Sequence, residues 1–175
     1  YPFVASQSPI AQDRGFIQIW ANDGSGNFTN VTEEGGTDIA GQWMGVSAGD
    51  VNCDGFMEVF GSNFGDYTAL GLEPGYPFER STSRFYLNNG DGTWTDPKGS
   101  LVDGASVFGW GTSMFDYDND GDLDIMYHGG LDLGPYVETT NPGVMLQNQG
   151  SCTGNFTFDQ AATSTTDHLR RTVHG

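Results

Sequence analysis

Two short stretches of this sequence place oxygen-bearing side chains at alternate positions around a glycine. In DYDNDGDLD, residues 116 to 124, aspartates occupy every odd position and Gly121 is sixth. DVNCDGFME, residues 50 to 58, has the same order, with an amide at the third position, phenylalanine at the seventh and glutamate at the ninth. Ca²⁺ takes roughly six to eight oxygen ligands, and alternate side chains of a tight turn can converge on one ion. The spacing therefore predicts a Ca²⁺ site in each stretch.

We assign the same five ligand roles to both stretches. The first, third and fifth positions supply side-chain oxygens, the seventh supplies its backbone carbonyl, and the ninth closes the site. Without a cation, the carboxylates would repel one another at close range, which favours a bound ion over an empty turn. The predicted ligands are Asp116, Asp118, Asp120, Asp122 and Asp124 in one loop, and Asp50, Asn52, Asp54, Phe56 and Glu58 in the other.

Other metal motifs fit these stretches poorly. An EF-hand needs a bidentate glutamate at the twelfth loop position and a helix on each side. Here the twelfth residue is Gly61 in one stretch and Tyr127 in the other, and β-rich sequence surrounds both. Mg²⁺ keeps its water and uses few carboxylates, and zinc is not expected because the predicted ligands are all oxygens. The remaining alternative is a pair of acidic turns that hold no ion.

The composition of the chain limits its partners. The 175 residues include 23 acidic and 6 basic side chains, which gives a formal net charge of −17. This charge argues against nucleic acid and against anionic membrane surfaces, and it favours cations. The sequence lacks a run of roughly eighteen apolar residues that could cross a bilayer, and a secretion signal would have to lie outside it. We expect a folded domain that does not insert into a membrane.

The acidic stretches belong to an internal repeat. Residues 22–29 (NDGSGNFT) align with residues 88–95 (NNGDGTWT) at an offset of 66. The same offset places residues 49–60 on residues 115–126 without a gap. Two landmarks that agree on one spacing indicate a repeated structural unit.

A third copy of the unit starts near the end of the sequence. Residues 145–150 and 154–157 resemble the NDGSGNFT region, with a turn two residues longer between them. The third acidic loop is expected within about five residues after Gly175. We therefore expect the chain to be part of a longer repeat array, because repeat arrays rarely end within a unit.

Each unit is predicted to contain four short β-strands. Glycine accounts for 27 of the 175 residues, helical periodicity is absent, and short β-rich runs alternate with Gly, Asn and Asp clusters. The acidic loop joins the first two strands of a unit. In the second unit the predicted strands span residues 108–115, 122–130, 143–148 and 154–160.

A repeated four-stranded antiparallel sheet of this length is typical of a β-propeller blade, in which neighbouring blades bury one another's faces. A solenoid is the alternative, although its repeats are usually shorter. We predict an all-β fold, with residues 1–175 forming one partial propeller domain of about two and a half blades. The repeat units are approximately 15–80, 81–140 and an incomplete 141–175.

Two segments carry a family resemblance. GWGTSMFDYDNDGDLDIMY (109–127) and RFYLNNGDGTWTD (84–96) resemble the FG-GAP and VCBS repeats. Such repeats form the calcium-binding propellers of integrin α subunits and, more similar to this chain, of cartilage acidic protein and its bacterial relatives. The resemblance implies a secreted or cell-surface propeller that is stabilised by Ca²⁺ and used for cell adhesion or scaffolding.

Two further features suggest an exported protein. N-glycosylation sequons stand at Asn27, Asn30 and Asn155, which makes a glycoprotein plausible in a eukaryotic secretory route. Cys53 and Cys152 could form one disulfide in an oxidising compartment, and free thiols or an external bonding partner remain open alternatives.

Three classes of function fit the sequence. The first is a non-catalytic extracellular module that binds a protein, a glycan or copies of itself. The second is a subunit of an extracellular filament or surface layer, in which neighbouring copies cover open sheet faces. The third is part of a calcium-dependent polysaccharide lyase, but no catalytic residues are predicted because no nucleophile and base combination stands out. The cationic residues that could hold an acidic sugar are scattered: Arg14, Arg80, Arg84, Lys98, Arg170 and Arg171.

Overall fold

The computed structural model describes residues 15–39, 41, 43–63, 83–97, 109–132, 138–150 and 158–160. Nearly all of their regular structure is β-strand, as predicted. The strands are β1 (Trp20–Asn22), β2 (Phe28–Asn30), β3 (Trp43–Gly49), β4 (Glu58–Asn63), β5 (Arg84–Asn88), β6 (Trp94–Thr95), β7 (Gly111–Phe115), β8 (Asp124–Asp132), β9 (Glu138–Asn148) and β10 (Phe158–Gln160), and one short helix, α1, spans Thr32–Gly35.

These strands form a hairpin and two four-stranded sheets. Strands β1 and β2 make the hairpin, β3 to β6 make sheet one, and β7 to β10 make sheet two. Within the hairpin and within each sheet, each strand pairs antiparallel with the next strand along the chain. This up-and-down order is compatible with propeller blades. Each sheet spans one of the predicted unit boundaries, 80/81 or 140/141, since a repeat period can be divided at any point.

The 66-residue repeat is visible in the strand pairing. Asn22 lies opposite Phe28 in the hairpin, and Asn88 lies opposite Trp94 in sheet one. In sheet two, Phe158 lies opposite Asn148. The residue numbers of this pair thus differ by ten, against six for the other two pairs, so the turn is four residues longer and the predicted two-residue extension is wrong. Most of that turn, residues 151–157, lies outside the described residues.

Sheet one is packed on one face against sheet two and on the other against the segment that precedes β1. Successive residues of a strand point to opposite faces, so Val59 and Tyr86 face the segment before β1, which contributes Ile17 and Ile19, while Phe60 and Phe85 face sheet two. The Phe60 and Tyr127 rings meet between the sheets with centroids 5.5 Å apart. The core between the two sheets consists of Val51, Phe60, Phe85, Ile125, Tyr127, Val144 and Leu146. The core on the other face of sheet one consists of Ile17, Val59 and Tyr86, with Ile19, Ile39, Trp43 and Trp94 packed against it.

The first strands of the two sheets, β3 and β7, approach each other closely. The Ser47 and Thr112 hydroxyls lie 3.1 Å apart, and the Gly109 N–H donates to the Asn63 carbonyl at 2.9 Å. A Cβ atom on Gly45 would lie 2.6 Å from the Trp110 carbonyl oxygen, which is closer than van der Waals contact allows. Glycine at this position therefore permits the sheets to meet.

The face of sheet two that points away from sheet one is only partly covered. Met126 and Met145 are paired across β8 and β9 on this face and are half-buried. In sheet one, the corresponding pair Phe60 and Phe85 is fully buried by sheet two. Phe115 adds a side chain that is 39% exposed.

The helical content of the described residues is the four-residue α1, so nothing in this part of the structure has the length or apolar character of a membrane-spanning helix.

Candidate metal centres

The second acidic loop joins β7 to β8 and brings three carboxylates together. One oxygen from each of Asp116, Asp118 and Asp120 lies within 4.8 Å of the others. Opposite ligands of a Ca²⁺ ion are roughly 5 Å apart, because each Ca–O distance is roughly 2.4 Å. The three oxygens therefore fit within one Ca²⁺ coordination sphere. Asp118 and Asp120 are exposed to solvent, which leaves a route for the ion.

Backbone hydrogen bonds hold this loop in shape. The Asp120 and Gly121 N–H groups donate to the two carboxylate oxygens of Asp116, at 3.2 and 3.1 Å. The Asp122 N–H donates to Asp120 Oδ1 at 3.0 Å. Gly121 has φ of 95°, a left-handed conformation that glycine adopts readily, as predicted for the sixth position. The predicted role of the Asp122 carbonyl as a ligand stays a prediction.

The first acidic loop, between β3 and β4, has the same internal hydrogen bonds. The Asp54 and Gly55 N–H groups donate to the Asp50 carboxylate at 3.1 and 3.0 Å, and the Phe56 N–H donates to Asp54 Oδ1 at 2.8 Å. Asn52 departs from its aspartate counterpart, because its amide donates to Asp54 Oδ2 at 2.8 Å. The loop therefore has the same shape with less negative charge. Whether the Phe56 carbonyl acts as a ligand stays a prediction.

The ninth-position acid of the second loop lies beneath the loop. Asp124 is fully buried and is not part of the three-carboxylate cluster. Its Oδ2 accepts a hydrogen bond from the Tyr117 N–H at 3.0 Å, and its Oδ1 accepts one from the Asn148 N–H at 2.8 Å. Burial raises the pKa of Asp124, although these two N–H donors oppose the shift. Asp124 thus connects the loop to β9, whether or not it also reaches an ion.

Glu58 has the equivalent position in the first loop. It is fully buried, and its Oε2 accepts a hydrogen bond from the Val51 N–H at 2.9 Å. Burial raises the pKa of Glu58, the nearby Asp54 and Asp50 carboxylates add to the shift, and backbone N–H donors oppose it. Both ninth-position acids are therefore buried anchors for their loops. This anchoring role was not predicted from the sequence.

Two asparagines, one in the third strand of each sheet, also support the loops, and neither was predicted from the sequence as a functional residue. The Asn88 side-chain amide donates to the Met57 carbonyl at 3.1 Å, and the Asn148 amide donates to the Leu123 carbonyl at 3.1 Å. Met57 and Leu123 are the eighth residues of their loops. The repeat could have indicated this role, because each asparagine stands two residues before the glycine of the following turn.

The other predicted site residues divide between described and undescribed segments. Asn27 and Asn30 are exposed in the β1–β2 hairpin, where the Asn27 amide donates to Asp23 Oδ2 at 2.6 Å and Asn30 Oδ1 accepts from the Thr32 hydroxyl at 2.6 Å. Asn155 lies outside the described residues. Glycosylation of the three asparagines stays a prediction.

Cys53, the fourth residue of the first loop, is disulfide-bonded. The sequence contains one other cysteine, Cys152, which lies outside the described residues. A disulfide, rather than a free thiol, is therefore what the structure shows for Cys53.

Arg84 is the one cationic residue of the six that falls within the described segments, and it forms an ion pair with Asp96. Its guanidinium is thus engaged by a carboxylate of the same protein. The other five cationic residues named above lie outside the described residues, so their arrangement stays a prediction.

Comparison with known families agrees with this architecture. A family model described as an FG-GAP-like repeat matches residues 3–61 and 76–127, which together make up more than half of the chain. Both matched segments include an acidic loop, the strand before it and the first residues of the strand after it. No curated protein matches the chain significantly.

Proposed function

Because this chain belongs to the FG-GAP-like repeat family, we propose that it is a calcium-binding part of an extracellular β-propeller with a non-catalytic role. That role is adhesion, scaffolding or the binding of a protein or glycan. The family match supports a propeller-like repeat module, and the proposal extends it to the ion, the compartment and the role.

One observation carries the proposal: the converging oxygens of Asp116, Asp118 and Asp120. The donor set is made of hard oxygens on a short turn, which suits Ca²⁺ better than softer metals. The same hydrogen-bonded loop recurs 66 residues earlier, so we propose two Ca²⁺ sites per chain. When bound, Ca²⁺ would neutralise carboxylates that otherwise repel one another, and the loops would become more rigid.

The compartment is inferred from redox chemistry and charge. A disulfide at Cys53 is typical of an oxidising compartment such as the cell exterior. The net charge of −17 disfavours nucleic acid and anionic lipid as partners. We therefore propose that Ca²⁺ is the ion bound and that the partner is an extracellular protein or glycan.

A second candidate is a subunit of an extracellular filament or surface layer. The partly covered outer face of sheet two, with Phe115 and the half-buried Met126 and Met145, favours it. Copies of the chain would then cover this face for one another.

Calcium titration of the purified, oxidised chain tests the main proposal. We expect calorimetry to give two Ca²⁺ per chain. Asp120→Asn should weaken the second site by about tenfold or more, because it removes a ligand charge from the cluster. Asp122→Asn is the matched control, since it removes one charge from the same loop but keeps the backbone carbonyl.

Two results would contradict the proposal. The first is no binding at millimolar Ca²⁺. The second is equal weakening by Asp120→Asn and Asp122→Asn, because that would indicate attraction to a diffuse negative surface instead of a defined site.

A further inference from the structure

The first acidic loop is in direct contact with sheet two. Val51, the second residue of that loop, is fully buried, and its side chain lies in the core between the sheets. Its N–H donates to Glu58 in its own sheet, and its carbonyl accepts a hydrogen bond from the Asn148 side-chain amide at 3.0 Å. The backbone between two predicted ligands, Asp50 and Asn52, is therefore held from both sheets.

Asn148 connects both acidic loops. It is 1% exposed, and its Nδ2 donates to the Val51 carbonyl of the first loop and to the Leu123 carbonyl of the second. An amide nitrogen carries two hydrogens, so both bonds can form at once. Its backbone N–H donates to Asp124 at 2.8 Å, which holds Asn148 in place.

The second loop differs from the first in its surroundings. Tyr117 corresponds to Val51 at the second loop position, but its side chain is 36% exposed. The two loops thus have the same internal hydrogen bonds. Among the described residues, only the first loop is also held by contacts with the next sheet along the chain.

We propose that Ca²⁺ binding by the first loop is coupled to the packing of sheet two on sheet one, with Asn148 as the positioning residue. The inference rests on the proposed calcium function. A loop already held in its binding shape loses less conformational entropy when it binds an ion, so sheet packing raises the affinity of the first loop. By linkage, Ca²⁺ in the first loop strengthens the sheet contact by the same factor.

Single-site variants separate the two loops. Asp120→Asn weakens the second loop and isolates the first, whereas Asp54→Asn isolates the second. In the first background, Asn148→Ala should lower the Ca²⁺ affinity of the first loop by about fivefold or more, a typical coupling between sites. In the second background, Asn88→Ala should leave the second loop within about twofold, because Asn88 bonds the Met57 carbonyl in its own sheet.

Hydrogen exchange gives a readout that does not depend on an asparagine variant. The Gly109 N–H donates across the sheet boundary to the Asn63 carbonyl. Adding Ca²⁺ should slow its exchange in the wild-type chain and in Asp120→Asn, and leave it unchanged in Asp54→Asn.

The outcomes distinguish the two proposals. If the wild-type chain binds no Ca²⁺, the proposed function fails. If both loops bind Ca²⁺ but Asn148→Ala leaves the first loop unchanged, or Gly109 exchange responds equally in both single-site variants, the coupling alone is wrong.

Discussion

The buried carboxylate of Asp124 gives the sharpest prediction about the acidic loops. As a fully buried acceptor of two backbone hydrogen bonds, it should stabilise the protein even when no ion is present. Asp124→Ala leaves the Tyr117 and Asn148 N–H groups without their acceptor. Each buried donor left unpaired costs roughly 1–3 kcal/mol, so we expect a loss of about 3 kcal/mol in the free energy of unfolding.

The assay is urea denaturation in excess EDTA, followed by circular dichroism and tryptophan fluorescence. Asp118→Ala is the matched control. Asp118 is exposed and accepts a hydrogen bond from the Gln147 amide at 2.7 Å, so its removal should change the calcium-free stability by less than about 0.5 kcal/mol. In Ca²⁺ both variants should be less stable than the wild type, because the proposed site is damaged.

The reasoning fails if Asp124→Ala is as stable as Asp118→Ala in EDTA and becomes destabilised only when Ca²⁺ is present. That result would make Asp124 a metal ligand without a structural role of its own.

Three further predictions follow from other parts of the structure. Gly45→Ala should destabilise the protein by about 2 kcal/mol in urea denaturation, since its Cβ would overlap the carbonyl of Trp110, the residue before β7. Gly111→Ala at the equivalent position of sheet two should have little effect, because its Cβ would meet its nearest atom at 3.4 Å, and equal effects would refute this. Hydrogen bonds from the Thr93 hydroxyl and N–H lower the pKa of Asp91 in the β5–β6 turn. The stability that Asp91 contributes should therefore be present above its unfolded pKa and be lost as pH falls through its folded pKa, and a carboxyl carbon titration by NMR that gives an ordinary pKa would contradict this. A non-reducing peptide map should contain a Cys53–Cys152 linked peptide that disappears on reduction, and alkylation of Cys53 without reduction would argue against the disulfide.

The fold class and the acidic loops could be predicted because they depend on local pattern. Alternating oxygens with a glycine in sixth place specify a turn whose backbone bonds its own side chains, and Asp50 and Asp116 do so in the same way. The repeat then specifies the sheets, since the same pattern must give the same structure twice.

What could not be predicted depends on contacts between distant residues. The sequence shows that Glu58 and Asp124 carry oxygens, but burial by the third strand and by the next sheet decides whether those oxygens meet water, an ion or a backbone N–H. The bond from Asn148 to Val51 spans 97 residues. The pairing of Phe158 with Asn148 was missed for a different reason: turn length can vary without changing strand register on either side.

The two sides of sheet one carry different side chains: Val59 and Tyr86 toward the segment before β1, and Phe60 and Phe85 toward sheet two. The two faces of such a sheet are not equivalent. A neighbouring sheet that presented its opposite face would therefore bring side chains of unmatched shape together. The two faces of sheet two differ in the same sense, because its outer face has Met126 and Met145 at the positions where sheet one has Phe60 and Phe85. The succession of sheets is therefore encoded in side-chain shape as well as in chain connectivity, and shuffled repeats should assemble poorly even when every linker is long enough.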